Sequence, residues 1–104
     1  MKKESLIQTE VLRWLNLQEN CKVFNNHGTA NSGKGRPDIS GVFNGGYIAI
    51  ELKTETGTAS KVQIKMLSKL RRCGAAIAIC HSLEDVKLFI KNLQEEKDGK
   101  YTSI

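Results

Sequence analysis

G-R-P-D-I-S-G-V-F-N-G-G-Y-I-A-I-E-L-K-T-E-T-G-T-A-S-K-V-Q, residues 35–63, decides the fold and the chemistry together. Two strand-like runs, Asp38–Phe43 and Tyr47–Lys53, flank Asn44-Gly45-Gly46, which reads as a hairpin connection. Alternation along the second run puts Tyr47, Ala49, Glu51 and Lys53 on one face, and Ile48, Ile50 and Leu52 on the other. The isoleucine–leucine face is core. Glu51 and Lys53 are therefore charges held beside an apolar layer, a costly arrangement unless they are paired or bound to a metal; the plain alternative is a solvated strand end.

Register decides whether Asp38 joins them. With Gly45-Gly46 as a two-residue turn, Ser40 opposes Glu51 and Asp38 opposes Lys53. Directly opposed residues share a face, so Asp38 and Glu51 become diagonal neighbours. With all of Asn44-Gly45-Gly46 as loop, Asp38 opposes Leu52 and faces away unless a bulge corrects the register. Two converging carboxylates with an adjacent lysine would make a divalent-metal site suited to phosphodiester hydrolysis.

Upstream, residues 27–37 hold three glycines and the only proline, Pro37. Such a loop lets a phosphate backbone approach closely, and Pro37 stiffens the entry to Asp38. Downstream, Ser60–Arg72 reads as a helix stopped by Gly74. At ~100° per residue its cations Lys61, Lys65, Lys69 and Arg72 fall on one stripe, opposite Val62, Met66, Leu67 and Leu70. Gln63 lies among the apolar residues. It is either the second half of a capping box, Ser60-x-x-Gln63, or aimed at a metal, water or phosphate. Ser5–Leu17 forms a first helix whose apolar stripe centres on Val11, Leu12 and Leu15. Gln8 and Glu4 project onto that same side, and Glu10 onto the far side. Ser5-x-x-Gln8 is the capping alternative there. A short strand at Cys21–Phe24, a buried strand at Ala75–Cys80, and a helix opened by a Ser82–Asp85 capping box complete an α-β-β-β-α-β-α order, an α/β domain with a mixed sheet between helices.

The 104 residues suffice for one domain, residues 1–94, followed by a polar tail, 95–104. Apolar content of 39% and charged content of 26% are ordinary for a compact soluble chain. No apolar run approaches the ~20 residues of a membrane span. Three cysteines without paired spacing suit a reducing cytoplasm and argue against a zinc site built on Cys73, Cys80 and His81. The net charge is +5, and residues 34–72 carry all of the excess, with eight cations against three anions. A polyanionic partner follows, with Lys34, Arg36, Lys61, Lys65 and the loop residue His27 as candidate phosphate contacts; a solvated cationic face is the plainer reading of the helical lysines.

Five blocks in order resemble the VRR-NUC family of the PD-(D/E)XK nuclease superfamily: Glu4-x-x-Ile7-Gln8, Gly35-Arg36-Pro37-Asp38-x-x-Gly41, Glu51-x-Lys53, Gly57-x-x-Ser60-x-x-Gln63, and Gly74-Ala75. The resemblance implies a restriction-endonuclease-like fold. It also implies Mg²⁺ or Mn²⁺ held by Asp38, Glu51 and the Leu52 main-chain carbonyl, with Lys53 orienting or deprotonating water. Gln63, Gln8 and Glu4 would complete the site. Short stand-alone members look like phage or bacterial proteins that dimerise and cut four-way (Holliday) DNA junctions, which places the expected setting in the cytoplasm of a bacterium or phage-infected cell and the role in DNA repair or processing. The alternatives are a non-catalytic nucleic-acid-binding module, or a nuclease for flaps or nicked DNA that needs a partner subunit.

Overall fold

The computed structural model describes residues 3–26 and 35–97. Its elements are α1 (Glu4–Leu17), β1 (Cys21–Asn25), β2 (Ile39–Phe43), β3 (Gly46–Leu52), α2 (Lys61–Arg72), β4 (Ala76–Cys80) and α3 (Leu83–Lys97). The four strands form one mixed sheet in the order β1-β2-β3-β4, antiparallel except for the parallel β3–β4 pair that α2 connects. The α/β arrangement and element order are those of the restriction-endonuclease-like fold, as the sequence leads one to expect. α3 runs through the first residues of the polar tail to Lys97.

Ile7, Val11 and Leu15 of α1 and Val86 and Ile90 of α3 pack on one sheet face, against Val23, Ile39, Phe43, Ile48, Ile50, Leu52 and Cys80. By strand alternation Ala49 and Glu51 point to the opposite face, where α2 packs on β3 and β4. Only Leu67 of α2 is fully buried, while Val62 and Ile64 remain about half exposed, so the apolar side of this helix is narrower than its sequence suggests. β4 lies at the sheet edge. Cys80 is its one fully buried residue and Ile79 is exposed, a correction to the buried strand read from its apolar run.

The hairpin turn is the main correction. Phe43 pairs with Gly46, which makes Asn44-Gly45 the two-residue turn, with φ of 50° and 83°. Asparagine tolerates the left-handed region, and Asn-Gly suits the type I′ turn that matches strand twist. Ile39 then opposes Ile50, and Asp38, one residue before β2, lies across from Glu51 itself. This register differs by two residues from the Gly-Gly reading, so every side chain keeps its face. The all-loop reading, with Asp38 turned away, does not hold.

Local signals explain the other ends. α2 starts with a complete capping box and ends in a Schellman motif, with Gly74 at φ 109° and Ala75 N–H donating to Leu70 O. α1 has no side-chain cap: its N-cap is Lys3, and Ser5 lies inside the helix, so the Ser5-x-x-Gln8 capping box is not formed. At α3 the Ser82 hydroxyl accepts from the Asp85 N–H, but the Asp85 carboxylate accepts from His81 N–H rather than completing the box. Asn16 covers part of the β1 edge, its amide accepting from Val23 N–H and donating to Val23 O. No helix among the described residues is long and apolar enough to cross a membrane.

Candidate active site

Where β2 leaves the ladder, side chains take over from backbone. Leu52 N–H donates to Asp38 Oδ2 at 2.8 Å, and Asp38 N–H donates to Glu51 Oε1 at 3.3 Å. Each carboxylate thus accepts a main-chain N–H from the neighbouring strand, which fixes both acids at the end of the hairpin. Asp38 is 8% exposed and Glu51 1%. Burial, and then the negative charge of Asp38, raise the Glu51 pKa above the usual carboxylate range, while Lys53 pulls the other way. Lys53 Nζ lies 3.4 Å from Glu51 Oε2 and is largely sheltered from solvent.

Gln63 completes the capping box and, with the same amide, reaches Glu51. Its Oε1 accepts from Ser60 N–H at 2.8 Å, its own N–H donates to Ser60 Oγ at 3.2 Å, and its Nε2 donates to Glu51 Oε2. The capping box presets the amide, so α2 presents a donor to Glu51 without spending extra side-chain freedom. Gly35 secures the other flank. It has φ 78°, and a Cβ there would lie 2.8 Å from Val62 Oand Val62 Cγ1, so only glycine lets the segment leading to Pro37 lie against the first turn of α2.

Asp38, Glu51, Lys53 and Gln63 are therefore brought together, with Leu52 supplying its backbone between them. Gln8 is buried in α1, and its Nε2 has no hydrogen-bond partner among the described residues, a desolvated donor of the kind that a ligand or water satisfies. Glu4 is half-buried at the start of the same helix. Glu10, placed by helical spacing on the far side, is half-buried and borders a cavity with Ile7, His81 and Ser82. Arg36, Lys61 and Lys65 are exposed, consistent with contacts to a large polyanion. His27 and Lys34 lie outside the described residues.

Two contributors were not singled out from the sequence. Asn26 pins the entry to Asp38: its N–H donates to Asp38 O at 2.8 Å, and its side-chain amide donates to Pro37 O at 2.9 Å and Ser40 Oγ at 2.8 Å. Its only sequence signal is its place at a strand end before a glycine-rich loop. His81, named from the sequence only in connection with a zinc site, bonds the loop after Lys53. The three cysteines are free thiols. Among the described residues no group of three His, Cys, Asp or Glu side chains converges as a metal cage, so a cation here would rely on two carboxylates and main-chain oxygen.

The VRR-NUC domain family matches residues 2–84. No curated protein matches the chain. The match spans most of the chain and covers Asp38, Glu51, Lys53 and Gln63 alike. The chain belongs to the VRR-NUC family, a nuclease-type domain of the PD-(D/E)XK superfamily.

Proposed function

We propose that this VRR-NUC chain is a divalent-metal-dependent endodeoxyribonuclease that cuts branched DNA, four-way (Holliday) junctions above all, as a homodimer. The reading rests on one observation: two buried carboxylates meet at a strand end beside a lysine and a glutamine amide. Two buried acids held side by side repel one another, and a cation shared between them would offset that repulsion, which supports a metal as their common ligand. The oxygen-only donor set fits a hard ion, Mg²⁺ or Mn²⁺, rather than zinc. Asp38, Glu51 and the Leu52 carbonyl would hold it. When bound, such an ion lowers the pKa of water and neutralises charge at phosphorus.

The chain's own residues supply the rest. Lys53, tethered by Glu51, orients the attacking water or takes its proton at Nζ. Gln63 holds Glu51 in place and offers its amide to the same water or phosphate. Arg36, Lys61 and Lys65, with His27 and Lys34, bind the DNA backbone. Contacts to phosphate carry no base information, so selectivity for DNA shape follows more naturally than for sequence.

A homodimer would provide the two sites that symmetric junction cutting needs. The part of the sheet face that α2 leaves open supports it: Phe24, Val42 and Tyr47 are exposed there on adjacent strands, an apolar strip suited to cover by a second copy.

The test is incubation of a labelled four-way junction, beside flap, nicked and linear duplex, with Mg²⁺ or Mn²⁺, together with the mass of the protein in solution. Junction cutting that vanishes in Glu51→Ala supports the reading. Binding without product would mark a non-catalytic module, preference for flaps or nicks would move the substrate, and full activity of Glu51→Ala would overturn the site.

A further inference from the structure

Lys53 and Gln63 sit at opposite ends of the loop 54–60, and both must face Glu51. Among the described residues the loop's own bonding is sparse. Lys53 N–H makes the last bond to β4, at Cys80 O, and Gly57 N–H closes a turn onto Thr54 O at 3.0 Å. Between that turn and Ser60, the tie to another element among the described residues is His81, whose Nε2 lies 3.1 Å from Gly57 O. A carbonyl oxygen only accepts, so the imidazole is the donor.

His81 is itself held at the start of α3. Its backbone N–H donates to Asp85 Oδ2 at 2.8 Å, its Nδ1 lies 3.8 Å from the same oxygen, and Asp85 N–H is bound by Ser82 Oγ. Gly57 relays the contact to the site. A Cβ at position 57 would lie 3.0 Å from Thr54 Oγ1 and 3.4 Å from Lys53 Cβ, so the strand carrying Lys53 runs against the bonded peptide. A cavity of about 330 Å³, lined by His81, Glu10 and Glu55 among others, lies beside the ring.

We infer that His81 is a positioning residue for the nuclease reaction: by fixing Gly57 it holds the 54–60 loop, and so keeps Lys53 and Gln63 in place over the Asp38–Glu51 pair. His81 acts through Gly57 and touches none of the reacting groups. The role rests on the nuclease reading above, because it is defined by the work of Lys53 and Gln63.

The test compares His81→Leu, which keeps bulk and removes the donor, with His81→Gln, whose amide nitrogen reaches a position close to that of Nε2. Two measurements are made on each variant: single-turnover cleavage with junction affinity, and amide hydrogen exchange across residues 54–60. His81→Leu should lose about 10- to 100-fold in cleavage rate, the scale of a displacement near 1 Å. Its junction affinity and melting temperature should stay close to wild type, and exchange at 57–59 should accelerate. His81→Gln should recover most of the rate and the protection. Wild-type cleavage by His81→Leu, or a His81→Gln as impaired as His81→Leu, would overturn the inference. So would unchanged exchange in His81→Leu, which is readable whether or not the protein cuts DNA. A wild-type protein inert on every substrate overturns the nuclease reading and the positioning role with it, while faster exchange in the same sample would still report the clamp.

Discussion

Gln63 joins helix capping to the site through one amide, and the two functions separate by substitution. Ser60→Ala removes the hydroxyl that accepts from Gln63 N–H but leaves the amide bonds to Ser60 N–H and Glu51. Loss of an exposed N-cap costs about 0.5–1 kcal/mol. At roughly 4–8 °C per kcal/mol for a domain of this size, the melting temperature should fall by a few degrees with cleavage nearly intact. Gln63→Glu does the converse. One carboxylate oxygen still accepts from Ser60 N–H, which preserves the capping box, but the donor facing Glu51 Oε2 becomes an acceptor. The lost bond to a charged partner is worth about 1.5–3 kcal/mol, and a third negative charge now adjoins a buried acid. The introduced carboxylate should have a raised pKa, so its penalty is small when protonated near pH 5 and grows as pH rises toward 8. Thermal unfolding at both pH values and a Mn²⁺-supported junction assay test this together. Gln63→Glu should be nearly inactive and clearly less stable at pH 8 than at pH 5. If Ser60→Ala loses activity as fully as Gln63→Glu, or if Gln63→Glu behaves as wild type, the amide does not serve the site.

Asp38→Asn and Glu51→Gln should each lower cleavage by more than the roughly 10- to 100-fold that loss of an outer-shell metal partner costs, as measured in single-turnover assays; a smaller loss would argue against direct ligation. Burial and Asp38 raise the Glu51 pKa above the 4.5 of an ordinary glutamate. The folded state thus holds this proton more tightly than the unfolded chain. Glu51's contribution to metal-free stability is therefore fully present below that value and is lost as pH rises through the raised pKa. Divalent metal competes with the proton, so the rise in melting temperature on adding Mn²⁺ should grow with pH; a pH-independent rise would refute the linkage. Gly41→Ala would place a Cβ 2.1 Å from Lys22 O and 2.6 Å from Val23 Cα. Overpacking of about 1–3 kcal/mol or more should lower the melting temperature markedly, and an unchanged transition would contradict the β1–β2 approach.

The hairpin and its acids were legible because period-two alternation sorts residues by face without reference to distant structure. Its register was not, because Gly45-Gly46 and Asn44-Gly45 both suit a type I′ turn, and only the pairing of the two strands selects between them. The opening of α2 could be read from Ser60-x-x-Gln63, yet the same spacing at Ser5 misled: α1 begins before Ser5, and Gln8 turns inward among Val11 and Leu15 instead. β4 looked interior from its composition, although an edge strand backed by helices carries the same apolar run. Asn26 and His81 act through partners far along the chain, and no local pattern announces them.

Asp38 takes the Leu52 N–H that a continuing strand would have bonded. The acid is therefore a structural terminator as well as a ligand candidate, and a chain with an unclosed hairpin has no half-built version of this pocket. Cation affinity would then double as an assay of whether the hairpin has zipped to its last rung, and a variant altered at this position cannot separate lost chemistry from a newly stranded amide unless folding is followed alongside.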